Sequence, residues 1–121
     1  MADIGTQEHS SVIASDRVEG TAVFSPAGER LGSIGRLMIG KKSGHVESAI
    51  LSFGGFLGIG HEHYPLPWRM LSYDVTKGGY IVDITKEQLE AAPKYELDRE
   101  PEFDDAYTRA IYSYYGVTPL F

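Results

Sequence analysis

The sequence has no cysteine. That excludes disulfides, thiolate metal centres and cysteine nucleophiles, and it leaves the redox compartment open. No apolar run approaches the ~18 residues that would cross a bilayer as a helix. Met1 to Asp16 lacks both the basic start and the apolar segment of a signal peptide. The resulting expectation is a soluble, cytoplasmic protein. Basic charge is scarce as well: 11 Lys and Arg stand against 17 Asp and Glu, for a net charge of −6. Lys41-Lys42 is the only adjacent pair of bases, and it sits in turn chemistry. Nucleic-acid binders replace the counterions around phosphates with clustered cations, so no nucleic-acid partner is expected.

What is present suits one domain. The chain has 121 residues and 42% hydrophobic content, enough for one packed core. Its acidity is concentrated near the end. Residues 87–121 carry eight acids against three bases, −5 of the total −6.

From Arg17 onward the text alternates strands and turns. Val18–Phe24 places Val18, Ala22 and Phe24 on one parity. Ser25-Pro26-Ala27-Gly28-Glu29 is a turn, with proline presetting φ and glycine accepting a positive one. In Leu31–Ile39, Leu31, Leu37 and Ile39 share a face and Ile34 and Met38 share the other. His45–Phe53 sets Ala49, Leu51 and Phe53 against Val46 and Ile50. Apolar residues on both faces predict strands covered on both sides. The Gly40-Lys41-Lys42-Ser43-Gly44 segment joins these two strands as a hairpin turn. His61–Leu66 is a short strand ended by prolines, and Leu71–Val75 with Tyr80–Ile84 makes a last hairpin. About six short strands with short turns predict a small closed antiparallel β-barrel, since closure hides edge groups that template aggregation.

The pattern changes after Ile84. Thr85 and Gln88 have capping-box spacing at the head of a helix over Lys86–Ala92, which Pro93 stops. Asp104 or Asp105 can cap a second helix, with Gly116 as its C′ residue. On it Tyr107, Ala110 and Tyr114 form a stripe, Tyr112 points away, and Tyr115 lies between. Aromatic residues on both faces predict a helix held between two surfaces. The expected organisation is a flexible segment over 1–16, a barrel over 17–92, and an acidic linker with an amphipathic helix over 93–121. Val12-Ile13 is expected to dock on the domain edge.

The most unusual stretch is Gly54-Gly55-Phe56-Leu57-Gly58-Ile59-Gly60, followed by His61-Glu62-His63 and then Tyr64-Pro65-Leu66-Pro67-Trp68. A phosphate cradle needs a helix N-terminus after its glycines, and a strand follows here. The loop either folds Phe56, Leu57 and Ile59 over the barrel mouth or presents them to a partner or a membrane surface. His61 and His63 would share a face of a strand, which permits a metal, but a structural zinc needs four ligands and no others are placed nearby. No serine stands in a nucleophile elbow, and Glu62 has no carboxylate spaced to poise it as a base. Trp68 is expected in the core. The acidic strip Glu96–Asp105 is either a solvated segment or a dock for a basic partner.

The chain resembles the PRC-barrel family. The resemblance is carried by Val18-Glu19-Gly20-Thr21, Gly28-Glu29, Leu31-Gly32-Ser33-Ile34-Gly35, Gly44, the Ala49–Phe53 strand, GGFLGIG, PLPW, and Gln88-Leu89 with Ala91-Ala92-Pro93. It spans about residues 17–93. Gly40 and His45 stand where the family often has an acidic residue and an aromatic or aliphatic one. The tail over 95–121 is similar to an extension on some standalone bacterial members. The resemblance implies a small barrel that serves assembly or interaction, with no shared catalytic residues and no cofactor. The expected function is a non-catalytic protein-interaction module that self-associates, a dimer being favoured, through Phe56, Leu57, Ile59, Tyr112 and Tyr115. The alternatives are a small-ligand or metal-binding barrel using Gly54–Gly60 with His61 and His63, and a peripheral membrane adaptor.

Overall fold

The computed structural model describes residues 11–53 and 62–119. In chain order it contains a one-turn helix α1 (Ser15–Val18), β1 (Ala22–Phe24), β2 (Arg30–Ile39), β3 (Val46–Phe53), β4 (Glu62–Pro67), β5 (Leu71–Asp74) and β6 (Gly79–Val82). Helix α2 (Lys86–Glu90), β7 (Tyr95–Glu96) and helix α3 (Asp105–Tyr115) follow. The strands form one seven-stranded sheet in the order β5-β6-β1-β2-β3-β4-β7.

The mainly β expectation holds, and its details are corrected. Among the described residues there are seven strands rather than about six, because the start of the acidic linker pairs with β4 as β7, through Glu62↔Glu96 and His63↔Tyr95. The sheet is mixed rather than antiparallel: β1 runs parallel to β6, through Val23↔Tyr80 and Phe24↔Ile81. The ladder among the described residues ends at β5 and β7 instead of closing. Pro65 and Pro67 lie opposite Ile50 and Ser48 of β3. Proline tolerates a ladder only where its missing N–H faces away from the partner strand, so the far edge of β4 has no donors at these positions. Beyond His63 that edge receives no strand, and α3 packs on β4 instead.

Strict alternation also fails along β2. The β1 register skips Leu31 between Gly32 and Arg30. The β3 register skips Gly35 between Ile34 and Arg36, and Glu47 between Ser48 and Val46. Each bulge shifts parity by one and bends the strand. Leu31 and Ile34 therefore both enter the core despite opposite parity, and Leu37 packs against it after the second shift. The third extra residue, Glu47, belongs to β3 and leaves the alternation of β2 unchanged; Ile39, expected beside Leu31, is 52% exposed at the end of β2.

The inner core gathers Val18, Val23, Leu31, Ile34, Leu51 and Tyr64, together with Leu66, Val82 and Leu89. Trp68 is only partly buried, its ring 5.6 Å from that of Tyr80. Val18 reaches the core from α1 rather than from a strand, and Val12 and Ile13 are exposed.

The helix caps follow local chemistry. Gln88 N–H donates to Thr85 Oγ1 at 3.0 Å while Thr85 N–H donates to Gln88 Oε1 at 2.8 Å, a full capping box. Asp104 caps α3 by accepting from Tyr107 N–H at 2.8 Å. Gly116 ends it at φ 71°, where a side chain would be strained. The buried face of α3 is corrected. It carries Thr108, Ile111 and Tyr112, while Ala110 and Tyr114 are exposed.

Candidate functional site

The two-sided strands explain where the tail goes. Leu51 and Tyr64 face the inner core, so their neighbours Ile50 and Pro65 face outward, and both are buried. Residues 95–118 form a strap that extends the edge of β4 as β7 and then packs on β4 through α3. Tyr112 donates its hydroxyl proton to the Glu47 carbonyl of β3. An aromatic ladder continues along the strap: His63 to Tyr95 at 5.4 Å, Tyr95 to Phe103 at 5.9 Å and Phe103 to Tyr107 at 5.0 Å, all edge to face. Arg36 of β2 reaches Glu100 at 3.0 Å, and Arg69 donates to the Thr118 carbonyl at 2.9 Å.

These contacts decide what the ionisable groups can do. Glu62 holds Lys94 at 3.2 Å and accepts from the Tyr64 hydroxyl at 3.1 Å. Burial first, then the Glu62 carboxylate, raises the Tyr64 phenol above its ordinary value, while Lys94 offsets part of the rise. Burial followed by the Glu100 charge pushes Tyr95 up to about 12, with Arg36 opposing. Burial is likewise the leading cause of raised values at Tyr80, Tyr107, Tyr112 and Tyr115. These phenols stay protonated near neutrality and act as packing groups and hydrogen-bond donors rather than as bases.

Of the residues expected to make contacts, Phe56, Leu57 and Ile59 lie outside the described residues, as do the Gly54–Gly60 loop and His61. His63 packs on Tyr95. Among the described residues no group of three His, Asp or Glu is arranged to hold a metal. No described helix is long and apolar enough to cross a membrane. Tyr112 is 3% exposed, its hydroxyl bonded to the Glu47 carbonyl. Tyr115 is half-buried, with its ring 4.9 Å from that of Tyr114. Its hydroxyl is buried with no hydrogen-bond partner among the described residues. An unmet buried hydroxyl costs about 1–3 kcal/mol. Tyr115→Phe is therefore expected to raise the thermal midpoint, followed by circular dichroism, by ~3–5 °C per ~1 kcal/mol regained. A lowered midpoint would show that the hydroxyl is bonded.

One concavity combines open space with uncommitted groups. It lies between the β2–β3 hairpin and the start of α3, with a volume of about 680 Å³. Met38, Ile39, Lys41 and Lys42 form one wall, and Phe103, Asp105 and Thr108 form the other. Glu47 sits between them on β3. The hairpin is closed by Gly40 N–H to the His45 carbonyl at 2.8 Å and Gly44 N–H to the Gly40 carbonyl at 2.9 Å. A Cβ at Gly40 would stand 2.6 Å from Ser43 Oγ and 2.8 Å from a Glu47 carboxylate oxygen, both side-chain ends that can swing aside. Sequence reading singled out Lys41-Lys42 but missed Ile39 and Phe103. The lone signal was the apolar content of β2 on both faces, and bulges scrambled its parity. A second concavity of about 400 Å³, lined by Glu62, Lys94, Tyr95, Glu96 and Arg99, holds the already paired Glu62 and Lys94.

Three of the six acids in the acidic strip are used within the chain. Glu100 is paired with Arg36, Asp104 caps α3, and Asp105 meets Arg109 at 2.9 Å.

Comparison with known proteins matches this architecture to a family. The chain is similar to a solved structure described as a putative 16S ribosomal RNA processing protein RimM from Pseudomonas aeruginosa. The two share 19% identity at a TM-score of 0.42, over 65% of this chain and 49% of that one, so this chain spans about half that structure's length. No curated protein matches. The PRC-barrel domain matches residues 11–89, from before α1 to Leu89 of α2 and stopping short of the strap. The chain belongs to the PRC-barrel domain family.

Proposed function

We propose that this chain is a non-catalytic protein-interaction and assembly module. The observation that carries the reading is the open groove of about 680 Å³ beside the half-exposed Ile39. Carboxylates that could serve chemistry elsewhere are engaged in ion pairs and caps: Glu62 with Lys94, Glu100 with Arg36, and Asp104 at α3. A groove with an apolar floor and a charged rim has the anatomy of a protein contact. Membership of a family that serves assembly supports the same reading. Residues 17–92 would form the binding module and 93–121 the strap that completes one wall of the groove.

The finer form of the proposal is self-association, with a dimer favoured. The purified chain, weighed by light scattering and used to capture partners from a native lysate, tests it. A dimer mass or a stoichiometric protein partner is expected. A chain that stays monomeric and captures nothing overturns the reading.

A further inference from the structure

We propose that two copies of this chain dock on each other through the groove, the turn over 40–44 of each copy seated in the groove of the other. The inference rests on the self-association reading and names its surface. Three features support it: shape, charge and apolar content.

The chain carries a ridge and a groove side by side. Lys41, Lys42, Ser43 and Gly44 are all exposed at the tip of the hairpin, and the groove begins at the base of that tip. A two-fold contact needs one patch that complements itself, which an adjacent ridge and groove provide.

Charge points the same way. A chain of net charge −6 repels its own kind at long range, so any self-contact belongs where one copy's bases meet the other's acids. Lys41-Lys42 is the only adjacent pair of bases in the sequence. Neither lysine forms an ion pair among the described residues. The facing wall holds Asp105, whose side chain is 72% exposed even with Arg109 bound, flanked in sequence by exposed Glu102 and Asp104. A two-fold axis through the groove sets the basic wall of each copy against the acidic wall of the other. Both walls also carry apolar side chains: Ile39, 52% exposed, with Met38 on one and Phe103 on the other, which docking would remove from water.

The test uses the full chain and a charge swap. Light scattering between ~1 and ~200 μM is expected to show a monomer passing to a dimer, more weakly at high salt because the rim charges are exposed. K41E/K42E, on an exposed turn, is expected to weaken the dimer at least tenfold with an unchanged circular dichroism spectrum. E102K/D105K is expected to do the same, with E102K alone as the milder form should the double variant fold poorly. Mixing the two charge classes is expected to restore association as a heterodimer. A wild-type dimer that K41E/K42E leaves intact overturns this surface but not self-association. A wild-type monomer throughout overturns both. Variants that are monomeric alone and stay so when mixed overturn the reciprocal pairing of walls.

Discussion

Gly32→Ala is expected to cost about 3 kcal/mol or more, a large share of the ~5–15 kcal/mol that a domain of this kind holds in reserve. The reason is steric. A Cβ at Gly32 would stand 2.2 Å from the Ser52 carbonyl oxygen of β3, 3.1 Å from its carbonyl carbon and 3.2 Å from Leu51 Cδ1. The first two are backbone atoms in a hydrogen-bonded strand, so relief requires β2 and β3 to part. They pair from Ser33↔Ser52 to Ile39↔Val46, and Leu51 belongs to the inner core, so the strain reaches the centre of the fold. Urea unfolding followed by circular dichroism is the measurement. Gly44→Ala is the control: at φ 77° it meets nothing within 4 Å, and should cost only the ~1–2 kcal/mol of left-handed backbone. A Gly32→Ala midpoint as high as that of Gly44→Ala would show that the two strands do not approach so closely.

The second large effect is expected at Tyr112. Tyr112→Ala should cost ~3–5 kcal/mol, because it removes a buried aromatic ring and leaves the Glu47 carbonyl without that donor. Tyr112→Phe keeps the ring and should cost about 1–3 kcal/mol. Arg36→Ala, which breaks a half-exposed ion pair to the same strap, should cost under ~1 kcal/mol. The order of the three urea midpoints tests whether packing or charge holds the strap. If α3 stood away from the sheet, Tyr112→Ala would change the midpoint by no more than ~0.5 kcal/mol, as at an exposed site.

Much of the local structure was legible in the residues. Thr85 with Gln88, Asp104, Gly116 and the Gly40–Gly44 turn each act within a few positions, and each appears as its chemistry predicts. The two-sided apolar pattern of β3 correctly announced a covered outer face, though not what covers it. The candidate site was harder to see. Ile39 shares the parity of Leu37 but stands at the last position of β2 beside an exposed turn, and where a strand leaves the core is decided by its tertiary neighbours. Tyr112 was expected on the face opposite the Tyr107, Ala110 and Tyr114 stripe, with a surface on either side of the helix. The sheet instead selected the face bearing Thr108, Ile111 and Tyr112.

The sequence by itself determined the caps, the turns, the β-rich class and the family. These depend on side chains acting on nearby backbone, or on the order of short motifs. The tertiary structure alone decided the parallel β1–β6 pairing, the extra strand β7, the face on which the strap lies and the groove beside the lysine pair. Each of these depends on which distant segments meet. That choice is made by burial: Ile50, Pro65 and Tyr112 leave water together, with no local signal linking them along the chain.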